Sequence, residues 1–259
     1  MSNRKSSIIN KLIQQWPMHT VATNLWLQKT GVSRNLVTTY EKSGWVDRIG
    51  FGAAVRCGDK VEWPGAVYAL QEQLGLTVHP GSKTALALHG AAHSIPMGAE
   101  RIVLFARRNE HLPEWFRKHQ WNVRIEVIRT DLFKGMPGTG MEKLAMGEFA
   151  ITVSSRERAL FEFLFRLHGD GDEALHLMEN LATLQPALVQ RLLETCSSVK
   201  VKRLFMVLAR LADHSWLRKL DVSTVDFGTG TRMFARHGFL DREYHITIPR
   251  AWKPDEGGL

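Results

Sequence analysis

Between Ser33 and Gly44 the chain gathers side chains suited to binding nucleic acid: Ser33, Arg34, Asn35, Thr38, Thr39 and Lys42. A guanidinium pairs bidentately with guanine, a carboxamide with adenine, and a threonine methyl meets the methyl of thymine, so the set fits a helix lying in a major groove. Lys42, a compact point charge, suits a phosphate. At 100° per residue Asn35, Thr38 and Lys42 share one side of a helix, flanked by Arg34 and Thr39, while Leu36, Val37 and Tyr40 share the other. The plainer alternative is an ordinary surface helix of a small helical domain.

Catalytic chemistry finds no comparable pattern. Gly135-Met136-Pro137-Gly138-Thr139-Gly140 has the glycine content of a phosphate loop, but Met141-Glu142 follows where Lys and Ser/Thr are needed, so it reads as a turn. His168-Gly169-Asp170-Gly171-Asp172 with His176 matches neither a calcium loop nor a zinc-protease helix, and reads as a loop leading to a cap at Asp172. Asp226-Phe227-Gly228 lacks the other kinase motifs, and no Asp-x-Lys, Glu-x-Lys or Gly-x-Ser-x-Gly occurs. Cys57 and Cys196 lack metal-ligand spacing. The expectation is a protein that is not an enzyme and needs no cofactor or metal.

The reading helix must be held by its neighbours. Ile8, Ile9, Leu12, Ile13 and Trp16 predict a first amphipathic helix that closes at Trp16-Pro17. A second is expected after Thr20 as N-cap, ending at Gly31, and Ser33 is set to cap the third, which runs to about Ser43. Helix, short glycine turn, helix is the order of a helix-turn-helix. Trp45–Gly50 and Ala53–Arg56 then predict two short strands around Phe51-Gly52, a wing that places Arg48 and Arg56 at the DNA backbone. Further helices are expected from Trp63 to Gly75 and from Ser82 to Leu88.

Beyond a border near Ile95-Pro96, strands at 101–107, 124–128, 149–153 and 244–248 interleave with helices at 156–167, 172–184, 186–196 and 199–212. The fold class is therefore α/β (α+β), with an N-terminal winged helix-turn-helix over 1–95 and a larger C-terminal mixed α/β domain over 96–259. In the last helix Lys202, Arg203 and Arg210 lie opposite an apolar stripe, as a solvated face or as an antitoxin or nucleic-acid surface.

With 259 residues, 44% hydrophobic and 23% charged, the chain has the composition of a folded two-domain protein. The formal charge of +8 favours a polyanionic partner. Residues 1–95 hold ten Lys/Arg against five Asp/Glu, and 96–259 hold 24 against 21, so the shorter part is more basic per residue. No apolar run is long enough to span a bilayer and no cleavable leader opens the chain, so the expected location is cytoplasmic, with no membrane partner.

In order along the chain, Tyr40–Gly50, Trp63–Leu70, His79–Leu86, Val153–Leu160, Val201–Phe205, Val225–Arg232 and His237–Pro249 make the sequence resemble the AbiEi family, antitoxins of type IV toxin–antitoxin and abortive-infection systems. The resemblance implies a transcriptional autorepressor that binds double-stranded operator DNA at inverted repeats. It also implies a C-terminal domain that counters an AbiEii-like nucleotidyltransferase toxin without a stable complex. Two other readings stay open: a ligand-sensing transcription factor with no antitoxin role, and a nucleic-acid-modifying enzyme with an unfamiliar site.

Overall fold

The computed structural model describes residues 2–90, 101–136, 138–168 and 171–252. In chain order the first part runs α1 (Ser2–Gln15), β1 (Ala22–Thr23), α2 (Asn24–Lys29), α3 (Arg34–Lys42), β2 (Val46–Gly50), β3 (Ala53–Arg56), α4 (Trp63–Tyr68), β4 (His79–Pro80) and α5 (Ser82–Leu88). Then come β5 (Arg101–Ala106), α6 (Glu114–Lys118), β6 (Arg124–Arg129), β7 (Met141–Met146), β8 (Phe149–Ser154) and α7 (Arg156–Arg166). The last part holds α8 (Asp172–Asn180), α9 (Pro186–Thr195), α10 (Val199–Leu211), β9 (Arg232–Met233), β10 (Phe239–Asp241) and β11 (Ile246–Ile248). This mixture of helix and strand is the expected α/β (α+β) class.

Two compact units result, each assembled from separated stretches. The first takes the described residues of Met1–Pro80, Pro96–Thr130 and Lys143–Val153; the second takes those of Gly81–Ile95, Asp131–Glu142 and Ser154–Leu259. The expected border at Ile95-Pro96 lies outside the described residues. Strand pairing joins the stretches of the first unit: His79 and Pro80 of β4 sit opposite Phe105 and Leu104 of β5, so chain from both sides of that position shares one sheet. That sheet is completed by β6, parallel to β5 across the short α6 crossover.

In the first unit, α1 buries Ile9 and Leu12, and Trp16 just beyond its end is buried with them, against Leu27 of α2 and Val37 and Tyr40 of α3. Trp16 also donates its indole N–H to the carbonyl of Thr20 at 3.1 Å, which fixes the chain where Pro17 ends the helix. Thr20 is not the cap of α2. Its hydroxyl donates to the carbonyl of Pro17 at 2.7 Å, residues 22–23 extend to pair with β3, and Thr23 caps α2 by accepting from the Trp26 amide.

In the second unit α7 and α10 form the centre, with the rings of Phe161 and Phe205 stacked 4.5 Å apart. Glu162 is buried there, and its carboxylate accepts from Arg158 Nε at 2.9 Å, the Ser154 hydroxyl at 2.8 Å and the Ser82 amide at 3.1 Å. Three donors offset the desolvation that an isolated buried carboxylate would suffer. The α8 helix opens after Gly171, at φ 75°, so Asp172 is its first residue and not its cap; Gly169 and Asp170 of the same run, and Pro137 of the glycine-rich turn, lie outside the described residues.

Candidate nucleic-acid interface

The turn between α2 and α3 is built from local rules. Gly31 takes φ 86°, the amide of Val32 returns to the carbonyl of Leu27 at 2.8 Å, and Val32 itself is buried. Ser33 is extended and its hydroxyl accepts from the Leu36 amide at 3.3 Å, as expected of an N-cap. The inner face of α3 is Val37 and Tyr40, buried, with Leu36 packed at their edge. Its outer face exposes Arg34, Asn35, Thr39 and Lys42 together.

Thr38 is half-buried, and both threonine hydroxyls bond backward along the helix, Thr38 to the carbonyl of Arg34 at 3.3 Å and Thr39 to that of Asn35 at 3.1 Å. Tyr40 keeps its hydroxyl buried with no hydrogen-bond partner, and burial raises its pKa above the ordinary phenol value.

β2 and β3 form the expected wing, and β1 joins β3 to give a three-stranded antiparallel sheet in the order β1-β3-β2. Gln73 secures its open end, its carboxamide accepting from the Thr23 amide and donating to the Val21 carbonyl, each at 2.7 Å. On β2, Arg48 is exposed and reaches back to α3, from Nε to Glu41 at 2.7 Å and from Nη2 to the hydroxyl of Thr38 at 2.9 Å. Those bonds use two of the five guanidinium N–H donors.

Arg56 departs from the expected backbone contact. It points inward from β3, donating to the carbonyl of Ile13 at 2.6 Å with its guanidinium 5.9 Å from the centre of the Trp16 ring. It ties α1 to the wing, so it is a structural residue of this unit.

Two of the three residues of the expected basic surface on α10 are buried. Lys202 is 4% exposed and Arg203 is 2% exposed. Arg203 donates to four main-chain carbonyls, those of Phe227 at 2.9 Å, Gly228 at 3.1 Å, Gly230 at 2.6 Å and His245 at 2.8 Å, and Lys202 donates to that of Asp226. Arg210 is paired with Asp241 and Glu243. The cause is that residues 201–209 are buried all round, with the 226–230 turn laid over the side that helical periodicity marks as polar. The Asp226-Phe227-Gly228 turn thus serves as an array of acceptors, which explains why basic residues stand opposite it.

The charge follows the units more closely than it follows the linear halves. By sequence the first unit holds seventeen Lys/Arg against ten Asp/Glu, and the second seventeen against sixteen, so a net of +7 lies on the unit that carries α3 and the wing. Among the described residues no group of three or more His, Cys, Asp or Glu side chains is placed to hold a metal, and no helix is long and apolar enough to cross a membrane.

A capped outward-facing helix, a three-stranded sheet with a wing and a second mixed α/β unit define the class: a winged helix-turn-helix protein of two parts. Family models place it further. Residues 5–97 match the N-terminal domain of the AbiEi antitoxin transcriptional regulators, and residues 99–249 match the AbiEi antitoxin transcriptional regulator of type IV toxin–antitoxin systems. The chain belongs to the AbiEi family, transcriptional regulators and antitoxins of type IV systems. It is also similar to the crystal structure of the RV2827C protein from Mycobacterium tuberculosis, at 14% identity and a TM-score of 0.53, over 94% of this chain and 90% of that one. At that identity the likeness shows the fold alone. No curated protein matches the chain.

Proposed function

We propose that this regulator binds double-stranded operator DNA at inverted repeats with α3 in the major groove, and represses its own operon. The observation that carries the reading is the outer face of α3: Arg34, Asn35, Thr39 and Lys42 are exposed together on the unit that holds nearly all of the net positive charge. Arg34 and Asn35 stand in the first turn, where a recognition helix meets base edges, and Lys42 in the last, where a phosphate contact fits. Arg48 adds a donor from the wing. The second unit would counter a nucleotidyltransferase-like toxin without a stable complex, a role supported by family membership and not by any catalytic constellation in the chain, which we read as non-enzymatic.

The test is a salt-titrated gel shift on the duplex upstream of the chain's own operon. Arg34→Ala and Asn35→Ala should each weaken specific binding by about 1–3 kcal/mol, while Lys42→Ala should weaken all sequences alike. Unchanged specific affinity in the first two variants would remove α3 from the role of recognition helix.

A further inference from the structure

The turn laid over α10 has an outer side as well as an inner one. Its peptide bonds are trans, so each carbonyl and the amide that follows it point in opposite directions. Lys202 and Arg203 hold the carbonyls of Asp226, Phe227, Gly228 and Gly230 inward, and the amides of Phe227, Gly228, Thr229 and Thr231 therefore face the other way. Left-handed backbone at Gly228 and Gly230, φ 64° and 68°, allows this path. One outward amide already holds an oxygen anion, since that of Gly228 donates to Oδ1 of Asp226 at 2.7 Å. The amides of Thr229 and Thr231, and their exposed hydroxyls, donate to no described residue.

Behind the turn, positive charge gathers without a counter-ion. In its first five residues α10 carries Lys200, Lys202 and Arg203, its first turn has no acidic side chain, and the positive end of its own dipole lies there. Lys200 donates to the carbonyls of Phe165 and Leu167 at 3.4 and 3.3 Å, so all three cations are served by main-chain carbonyls and none is ion-paired with a described carboxylate. Buried charges are ordinarily matched by an opposite charge. A fourth cation closes the turn: Arg232 is exposed, and its guanidinium reaches only the Thr231 carbonyl, at 3.4 Å. Its backbone is fixed, because β9 pairs with β11 and the Arg232 amide donates to the His245 carbonyl at 2.9 Å. Burial, and then the like charge of Arg232, hold the Arg203 guanidinium below its ordinary pKa, a repulsion that an anion on the outer side would relieve.

We propose that the outer side of the 226–232 turn binds a terminal phosphate group, with the amides and hydroxyls of Thr229 and Thr231 as donors and Arg232 as the pairing charge. Converging amides of a glycine-bearing turn form an anion-binding concavity, and a guanidinium matches two phosphate oxygens at once. A phosphate dianion has oxygens enough for all of these donors, which a carboxylate has not. Asp226, already on that side, is the charge that the ligand works against. The site lies on the second unit, and it stands or falls apart from the DNA-binding reading of α3.

The experiment is calorimetric titration of the full chain with inorganic phosphate, a nucleoside triphosphate, and a short RNA bearing either a 5′-phosphate or a 5′-hydroxyl. Saturable binding of a phosphate probe is expected in the wild type. Arg232→Gln should weaken it about tenfold, and Thr229→Val/Thr231→Val about fivefold. Asp226→Asn keeps an oxygen for the Gly228 amide and removes the charge, and should tighten binding about threefold. All four side chains are exposed, so these variants should melt at the wild-type temperature. Arg34→Ala/Lys42→Ala, on the first unit, should bind the probes as the wild type does. Equal affinity for phosphate and triphosphate identifies the phosphate group as the whole ligand, tighter triphosphate binding assigns a nucleotide, and preference for the 5′-phosphorylated RNA assigns an RNA end. Absence of saturable binding by every probe, or wild-type affinity in Arg232→Gln, overturns the site. Loss of binding in Arg34→Ala/Lys42→Ala with Arg232→Gln unaffected moves the anion to α3 and overturns it equally.

Discussion

Nε of Arg48 lies 2.7 Å from Oε2 of Glu41, so the wing and the helix that exposes Arg34 and Asn35 are joined by a charge-assisted hydrogen bond. Both side chains are more than a third exposed, which limits the worth of the pair to stability at about 0.2–1 kcal/mol. Its larger consequence concerns binding, since Glu41 occupies a cation that phosphate would otherwise attract. Glu41→Gln should therefore cost less than about 1 kcal/mol in urea unfolding and raise DNA affinity at low salt. A fall in affinity would mean that Glu41 aims Arg48 more than it competes for it.

Arg56 should behave in the opposite way. Arg56→Ala removes the bond to Ile13 and the contact with Trp16, and should destabilise the first unit by about 2 kcal/mol. The salt slope of DNA binding should not change, because no phosphate contact is lost. A slope lower by about one, with normal stability, would restore Arg56 to the backbone contacts.

Arg203→Lys tests the buried array on α10. A lysine carries one ammonium with three donors where the guanidinium fork serves the carbonyls of Phe227, Gly228, Gly230 and His245, so at least one acceptor loses its donor in a dry setting. The loss should be about 3 kcal/mol, read as a lower urea midpoint at unchanged slope. Wild-type stability for Arg203→Lys would refute this account of the residue.

What could be read in advance follows from how local each determinant is. The cap at Ser33, the turn at Gly31 and the alternation around Phe51-Gly52 are set within a few residues, and all three stand where the sequence places them. Thr20 and Thr23 are equally good caps by type; only the pairing of Ala22 and Thr23 with β3, thirty residues on, decides between them. The face of α10 failed for the same reason, because Lys202 and Arg203 look solvated until the carbonyls of 226–230 are laid over them. β7 escaped notice since Met141, Leu144 and Met146 alternate too weakly, and its identity comes from pairing with β8. A groove beside Phe51 joins residues 49–51 to 114–120, a neighbourhood that no spacing rule announces.

The two thiols should differ sharply. Cys57 is exposed, but the carboxylate of Asp47 pushes its pKa above the ordinary thiol value, and burial pushes that of Cys196 up to about 11. The thiolate is the reactive form, so near neutral pH native protein should react slowly and at Cys57 alone. Asp47→Asn removes the negative charge, lowers the Cys57 pKa and should speed its labelling, followed by mass spectrometry, with Cys196 reacting only on unfolding. Equal rates in the wild type and Asp47→Asn would show that this carboxylate does not govern the thiol.

The division of labour between the two units is best tested in the full chain. A fragment ending at residue 95 lacks β5 and α6, so it loses the pairing of β4 with β5 and the packing of Gly50 on Trp115, and its binding would be impaired for structural reasons. The double variant Arg34→Ala/Asn35→Ala keeps every buried contact, since both side chains are exposed, and should fold as the wild type does. On the proposed function it should fail to repress the operon, yet still rescue cells from a cognate toxin expressed from an unrelated promoter. Repression and growth, measured in the same strain, separate the two activities. Loss of rescue together with repression, at normal protein level, would mean that antagonism runs through the DNA-reading face, and the assignment of toxin neutralisation to the second unit would be wrong.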